Sequence, residues 1–193
     1  VKHGAGVHAE SRAARAVLDE ARARLAAALG IDDDEVVFTG SGTEADNLAL
    51  RGRAWTSHAP HVVIGGTEHE AVRRTARFLA SQGCAVTEVP PDGEGVVSAA
   101  SVESALREET AIVSVMAVNN EVGTLQPVAA IGAACARHGI PFHVDAVQAP
   151  GRIVIDVKGW SASLLTLSPH KVGGPKGVGV LVVRRGVKLQ PAT

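Results

Sequence analysis

Apolar and polar positions follow two rhythms that take turns along the chain. From His8 to Leu29, apolar residues at Ala14, Val17, Leu18, Ala21, Leu25, Ala28 and Leu29 recur at three- and four-residue steps between Arg12, Asp19, Arg22 and Arg24. That spacing predicts a helix with one apolar stripe, and Gly30 supplies its stop. Short apolar runs then alternate with helical stretches: Val36-Val37-Phe38 before a helix from Thr43 to about Trp55, His61 to Ile64 before one from Glu68 to Ser81, and a strand at Ala85 to Val89 ended by Pro90-Pro91-Asp92-Gly93. A helix from about Ser101 to Arg107 leads into Ala111 to Val118, a nearly continuous apolar run suited to a central strand buried on both faces. A helix from Pro127 to His138, the strand Phe142-His143-Val144 and two last runs, Leu164 to Leu167 and Val178 to Val183, complete the pattern. This alternation predicts an α/β fold of three layers, α/β/α, with a mostly parallel central sheet.

In such sheets, ligands bind beyond the carboxyl ends of the strands, and the unusual polar residues of this chain gather there. They are Ser41 and Thr43, His69, Asn120, Asp145 with Gln148, and Ser168 with His170 and Lys171. Thr39-Gly40-Ser41-Gly42-Thr43 lies between a strand and a helix start, where free amides and hydroxyls make a phosphate cradle; a plain Ser- or Thr-capped turn explains it equally well. It is neither a Walker loop nor the spaced-glycine dinucleotide fingerprint. Lys171 follows Ser168-Pro169-His170 and precedes a glycine-rich loop, a setting in which an amine can be activated toward a carbonyl, although a solvated loop lysine is the commoner case. Asp145, at a strand end, is placed either to hold a cationic ring nitrogen or to cap the next segment. His69 is either a helix-start histidine or a ring stacked on a planar cofactor.

Composition narrows the setting. The 193 residues carry 19 basic and 20 acidic side chains, a formal net charge of -1, which speaks against a nucleic-acid partner. The length predicts one domain with a substantial core. Two cysteines, Cys84 and Cys135, are too few for a disulfide scaffold and predict a reducing, cytoplasmic location. No apolar run reaches the roughly 20 residues of a membrane helix. Histidine spacing gives no metal site: His58 and His61 span Ala59-Pro60, and His143 and Asp145 point to opposite faces of a strand. Gly40-Ser41-Gly42 also lacks the spacing of a hydrolase nucleophile elbow.

Taken in order, five stretches resemble the cysteine desulfurases, pyridoxal-phosphate enzymes of the class V aminotransferase family with the type I aminotransferase fold. They are Phe38 to Glu44 with Asn47-Leu48-Ala49, Thr67-Glu68-His69, Val118 to Gly123, His143 to Gln148, and His170-Lys171 through Gly174 to Gly179. The resemblance covers essentially the whole chain. It implies that Lys171 attaches the cofactor and shuttles a proton at the substrate α-carbon. Asp145 then pairs with the pyridine nitrogen, and His69 stacks on the ring and assists proton transfer. Gln148 bonds the ring hydroxyl, and Asn120 contacts that hydroxyl or the substrate carboxylate. Gly42, Thr43, Ser168 and His170 lie around the phosphate.

The implied reaction converts L-cysteine to L-alanine and passes sulfur as a persulfide to an acceptor protein, with iron-sulfur assembly and tRNA thiolation both open. The family's catalytic cysteine lies beyond the cofactor lysine, a place that neither Cys84 nor Cys135 occupies; both read as small buried hydrophobes. Residues 1–193 are therefore expected to be a cofactor-binding large domain, incomplete at both ends and without the small C-terminal domain, that forms a homodimer when full length and is inactive alone. Pro169 and the order Gly-Ser-Gly-Thr-Glu depart from the usual motifs. A selenocysteine lyase or another class V enzyme, and a non-catalytic scaffold, fit the same residues.

Overall fold

The computed structural model describes residues 9–58 and 60–191. His8, the expected start of the first helix, Lys2 and the last two positions of the chain lie outside the described residues. Seven strands form one sheet: β1 (Val36–Thr39), β2 (His61–Gly65), β3 (Ala85–Val89), β4 (Thr110–Ser114), β5 (Phe142–Asp145), β6 (Leu164–Leu167) and β7 (Gly179–Val183). Their spatial order is β1-β7-β6-β5-β4-β2-β3. Only β7 runs against the rest, pairing antiparallel with both β1 and β6. The cause is local: β6 and β7 are joined by the Ser168–Val178 loop, with no crossover helix to carry the chain back.

Helices α2 (Gly42–Ala54) and α3 (Glu70–Ser81) cover one face; α4 (Ala99–Ala105), α5 (Val128–Arg137) and the last turns of α1 (Ala9–Leu29) cover the other. Alternate strand residues serve the two cores. Val62, Ile64, Ile112, Leu164 and Leu181 pack with Leu50 and Leu79, whereas Val63, Val113, Phe142, Leu165 and Val182 pack with Ile131 and Trp160. Burial on both faces is why the central strands read as continuous apolar runs. The expected three-layer α/β/α arrangement is the one found.

Three expectations change. The stripe on α1 is buried only near its end, at Ala26 with Leu25 and Leu29 packed beside the core. Val17 and Leu18 are 67% and 51% exposed. The run Ala111 to Val118 is ladder only to Ser114. Beyond it, Val115 and Ala117 still donate to the carbonyls of His143 and Asp145, but the Met116 amide has turned to the Glu68 carboxylate, since β2 has ended. The third helix begins at Glu70, not Glu68, because His69 caps it and Glu68 turns into the interior.

Candidate active site

Strand β1 delivers the chain to the carboxyl edge of the sheet at Thr39, whose hydroxyl donates to the Ser41 carbonyl at 2.8 Å. Ser41 is the N-cap of α2: its hydroxyl accepts the Glu44 amide at 3.1 Å, and the Glu44 carboxylate reaches one residue further back to accept the Gly40 amide at 2.7 Å. The cap leaves the first-turn amides of Gly42 and Thr43 without intrahelical acceptors, at the positive end of a 13-residue helix. Gly42 sits close against two neighbours, since a Cβ there would lie 3.2 Å from both Ser168 Cβ and a Val147 methyl. Gly179, at the start of β7, has no room for a side chain against the Ser41 backbone. Replacing Ser41 with alanine is expected to cost about 1 kcal/mol of stability, measured by urea unfolding, through loss of the cap.

Opposite this loop, β6 ends at Leu167 and the chain makes a short 3-10 turn, Pro169–Val172, closed by Gly173 at φ 80°. The Lys171 amide donates to the Ser168 carbonyl at 3.1 Å, and the Gly174 amide to the Pro169 carbonyl at 2.9 Å. Pro169 fits because the first position of such a turn needs no amide donor. The buried Ser168 hydroxyl lies 2.9 Å from His170 Nδ1. Lys171 itself is exposed on the rim.

The floor is acidic. Asp145, buried at the end of β5, accepts the Val147 amide at 2.9 Å, so it does cap the next segment. Burial pushes its carboxyl above the usual range, against the Val147 bond and the nearby His69. Asp46, one turn into α2, is 2% exposed, and its Oδ1 has no hydrogen-bond partner. Burial raises it well above the ordinary carboxylate, with Asp145 and Glu68 adding like charge. Glu68, also buried, is raised in the same way by burial and by Asp145. Among the described residues, neither Asp46 nor Asp145 forms an ion pair with a lysine or arginine. His69 Nδ1 accepts the Ala71 amide at 3.1 Å as the N-cap of α3, which assigns the proton of its neutral ring to Nε2.

All nine expected site residues, Gly42, Thr43, His69, Asn120, Asp145, Gln148, Ser168, His170 and Lys171, line one cleft of about 270 Å³, together with Ser41, Asp46, Met116 and Val147. Asn120 is set there by Asn119, whose side chain accepts the Glu121 and Val122 amides and donates to the Thr67 carbonyl. Asp46 is the residue that sequence reasoning missed. Its signal is a charge inside the apolar stripe of Ala45, Ala49 and Leu50, one helical turn from Gly42.

Neither cysteine lines the cleft. Cys135 is fully buried and burial pushes its thiol up to about 12; Cys84 is buried and pushed up for the same reason. His61 engages Thr110 and Thr87 with its two ring nitrogens, and among the described residues no cluster of His, Cys, Asp and Glu is arranged to hold a metal ion. Nor is any described helix long and apolar enough to cross a membrane.

An anion cradle, an acidic floor without a cation and a rim lysine define a site at the carboxyl edge of a mostly parallel sheet, and the class V aminotransferase model matches residues 2–193; the chain belongs to that family. Among its relatives are cysteine desulfurases IscS. The one from Clostridium botulinum (strain Kyoto / Type A2) is 46% identical over 88% of this chain and 43% of its own length. That from Vibrio cholerae serotype O1 (strain ATCC 39541) is 44% identical over 92% and 44%. A solved structure of SspA in complex with cysteine superposes with a TM-score of 0.94 at 39% identity, covering 98% of this chain and 56% of that one. A NifS-like protein gives 0.93 at 35%, covering 97% and 53%. The chain thus spans less than half the length of the curated relatives it matches.

The residues present fit the family's cofactor, pyridoxal phosphate. The unpartnered Asp46 Oδ1 and the Asp145 carboxyl suit a cationic ring nitrogen, and the α2 terminus with Ser168 and His170 suits a phosphate.

Proposed function

We infer that the cleft binds pyridoxal phosphate and that this chain is the cofactor-binding large domain of a cysteine desulfurase, which takes L-cysteine to L-alanine and hands the sulfur on as a persulfide. The observation that carries the reading is the meeting, in one cleft, of an anion cradle, a buried carboxylate floor lacking a cation, and Lys171. Bound there, the cofactor supplies an electron sink for chemistry at an amino-acid α-carbon. The amides of Gly42 and Thr43, the Thr43 and Ser168 hydroxyls and His170 hold the phosphate. Asp145 fixes the ring nitrogen in its charged form, and the Val147 amide fixes Asp145. His69 covers the ring with its Nε2–H, its orientation set by the Ala71 amide. Gln148 and Asn120 orient the ring hydroxyl and the substrate carboxylate. Lys171 is the amine that attaches the cofactor and moves the α-proton.

The sulfur-accepting thiol comes from outside this set, since a thiol pushed up to about 12, as in Cys135, stays protonated and buried. The same reading includes a second copy of the chain. Support comes from the exposed Val122 and Leu125, which line a separate 560 Å³ groove that reaches Gln148 at the mouth of the cleft.

The test is chemical. The intact protein, incubated with pyridoxal phosphate, reduced with borohydride and digested, is expected to carry the label on Lys171. Label on Lys158, Lys176 or Lys188, or on no lysine, overturns the reading.

A further inference from the structure

One buried side chain beside the cleft has no part in the roles above. The Glu68 carboxyl accepts the Met116 amide at 2.5 Å, and its other oxygen lies 3.4 Å from the Ser114 hydroxyl. It stands where the sheet parts. Strands β2 and β4 pair from Val62 with Ile112 to Ile64 with Ser114. Past that rung β2 stays with β3 alone, and the Gly66 amide donates to the Val89 carbonyl. The extension of β4 keeps its bonds to β5 through Val115 and Ala117, so the amide between them, that of Met116, faces the strand that has gone. Met116 is buried, and a buried amide needs an acceptor. Gly65 leaves little more than room for that carboxyl, since a Cβ there would lie 3.2 Å from Glu68 Oε1.

We propose that Glu68 is a positioning residue, whose carboxyl replaces the missing rung of β2 and thereby sets the spacing between two cleft walls, His69 on one and Met116 to Asn120 on the other. The proposal rests on the pyridoxal phosphate reading for what fills the space between those walls.

The walls are tied reciprocally. Glu68 reaches from the first to the backbone of the second, and Asn119 reaches back, its side-chain amide donating to the Thr67 carbonyl at 3.1 Å. Two ties resist both sliding and rotation, whereas either alone leaves a hinge. From the other side, Arg73 donates to the Gly66 carbonyl at 3.4 Å while it pairs with Glu88 at 3.1 Å. His69 follows Glu68 directly and lines the cleft, as Met116 and Asn120 do, so a shift of the carboxyl is felt at the cleft itself. A planar ligand bound there depends on walls that are already in place.

Reach, and not charge, decides whether the tie forms. Glutamine keeps the length and the acceptor oxygen, and its amide can donate to Ser114, whose hydroxyl is then free to donate to His143 Nδ1 at 2.9 Å. Burial raises the Glu68 carboxyl above the usual range, so a neutral side chain suits the place. Aspartate keeps the acid but is one methylene short.

The test compares Glu68→Gln, Glu68→Asp and Glu68→Ala in the intact protein. Hydrogen exchange at the Met116 amide is expected to be at least tenfold faster in the aspartate and alanine variants and near the parent rate in the glutamine variant. The same two variants should bind pyridoxal phosphate about tenfold more weakly and lose most of the circular dichroism induced in the bound cofactor, while glutamine preserves both. Parent-like dichroism and affinity in folded Glu68→Ala or Glu68→Asp, or an equal loss in Glu68→Gln, overturns the positioning role. Should Glu68→Ala not fold, the contrast of glutamine with aspartate makes the same decision. Borohydride labelling separates the two readings: label on Lys171 with unchanged dichroism in all variants removes the positioning role alone. Absence of label from every lysine removes the cofactor reading and, with it, the role assigned to Glu68.

Discussion

In the full-length cysteine desulfurase of the proposed function, replacing Lys171 with alanine is expected to lower alanine release from cysteine by about a thousandfold or more, the scale of losing both a covalent attachment and a proton carrier. The fold should be untouched. The Lys171 side chain is exposed, and what it contributes to the 3-10 turn is its backbone amide, which alanine retains. Stability should therefore stay within about 0.5 kcal/mol, as for other exposed positions. The phosphate cradle and acidic floor also remain, so the variant should still bind pyridoxal phosphate, without covalent attachment and with no borohydride label. Lys176→Ala is the control: it belongs to the same glycine-rich loop but does not line the cleft, and it should leave activity near the parent level. Equal losses in both variants would mean that the loop, and not the Lys171 amine, carries the effect.

The cleft was legible in the sequence because its polar residues stand at strand ends, where apolar periodicity breaks. Asp145 follows the apolar strand that begins at Phe142, and Ser168 follows Leu164 to Leu167, so each announces itself as a charge or hydroxyl just past a run. Capping a segment and lining the cleft are compatible. Asp145 caps the next segment and lines the cleft, and His69 caps α3 and lines it too. Asp46, Glu68 and His143 were less legible for one physical reason: their meaning lies in contacts between elements far apart in sequence. Ser114 touches Glu68 across 46 positions, and His143 touches Thr166 across 23. Strand periodicity places His143 on the α2 face of β5 but cannot say that an aspartate from that helix waits there. The exposed stripe of α1 shows the opposite failure, since spacing identifies an apolar face without saying what covers it.

Raising the pH from about 6.5 to about 8 is expected to destabilise the cofactor-free protein, by at most about 2 kcal/mol for each buried carboxyl proton that folding retains, at about 1.4 kcal/mol per pH unit. Burial raises Asp46, Glu68 and Asp145 above the ordinary carboxylate range. Unfolded, these groups have already released their protons at pH 6.5, so the folded state binds more protons, and stability falls as pH rises until each raised value is passed. His143 works in the other direction, but lower down. Held neutral to about 3 against an ordinary 6.5, it makes stability rise with pH only between those values and contributes nothing above them. The raised thiols of Cys84 and Cys135 act only above the ordinary value of 9.0. The interval from 6.5 to 8 therefore isolates the acidic floor. Saturating pyridoxal phosphate should flatten the decline, because a cation against the floor lets the carboxylates ionise while the protein stays folded. Urea unfolding at the two pH values, with and without the cofactor, checks both halves. A cofactor-free stability that is constant or rising over this interval would mean that the floor is already ionised before any cation arrives.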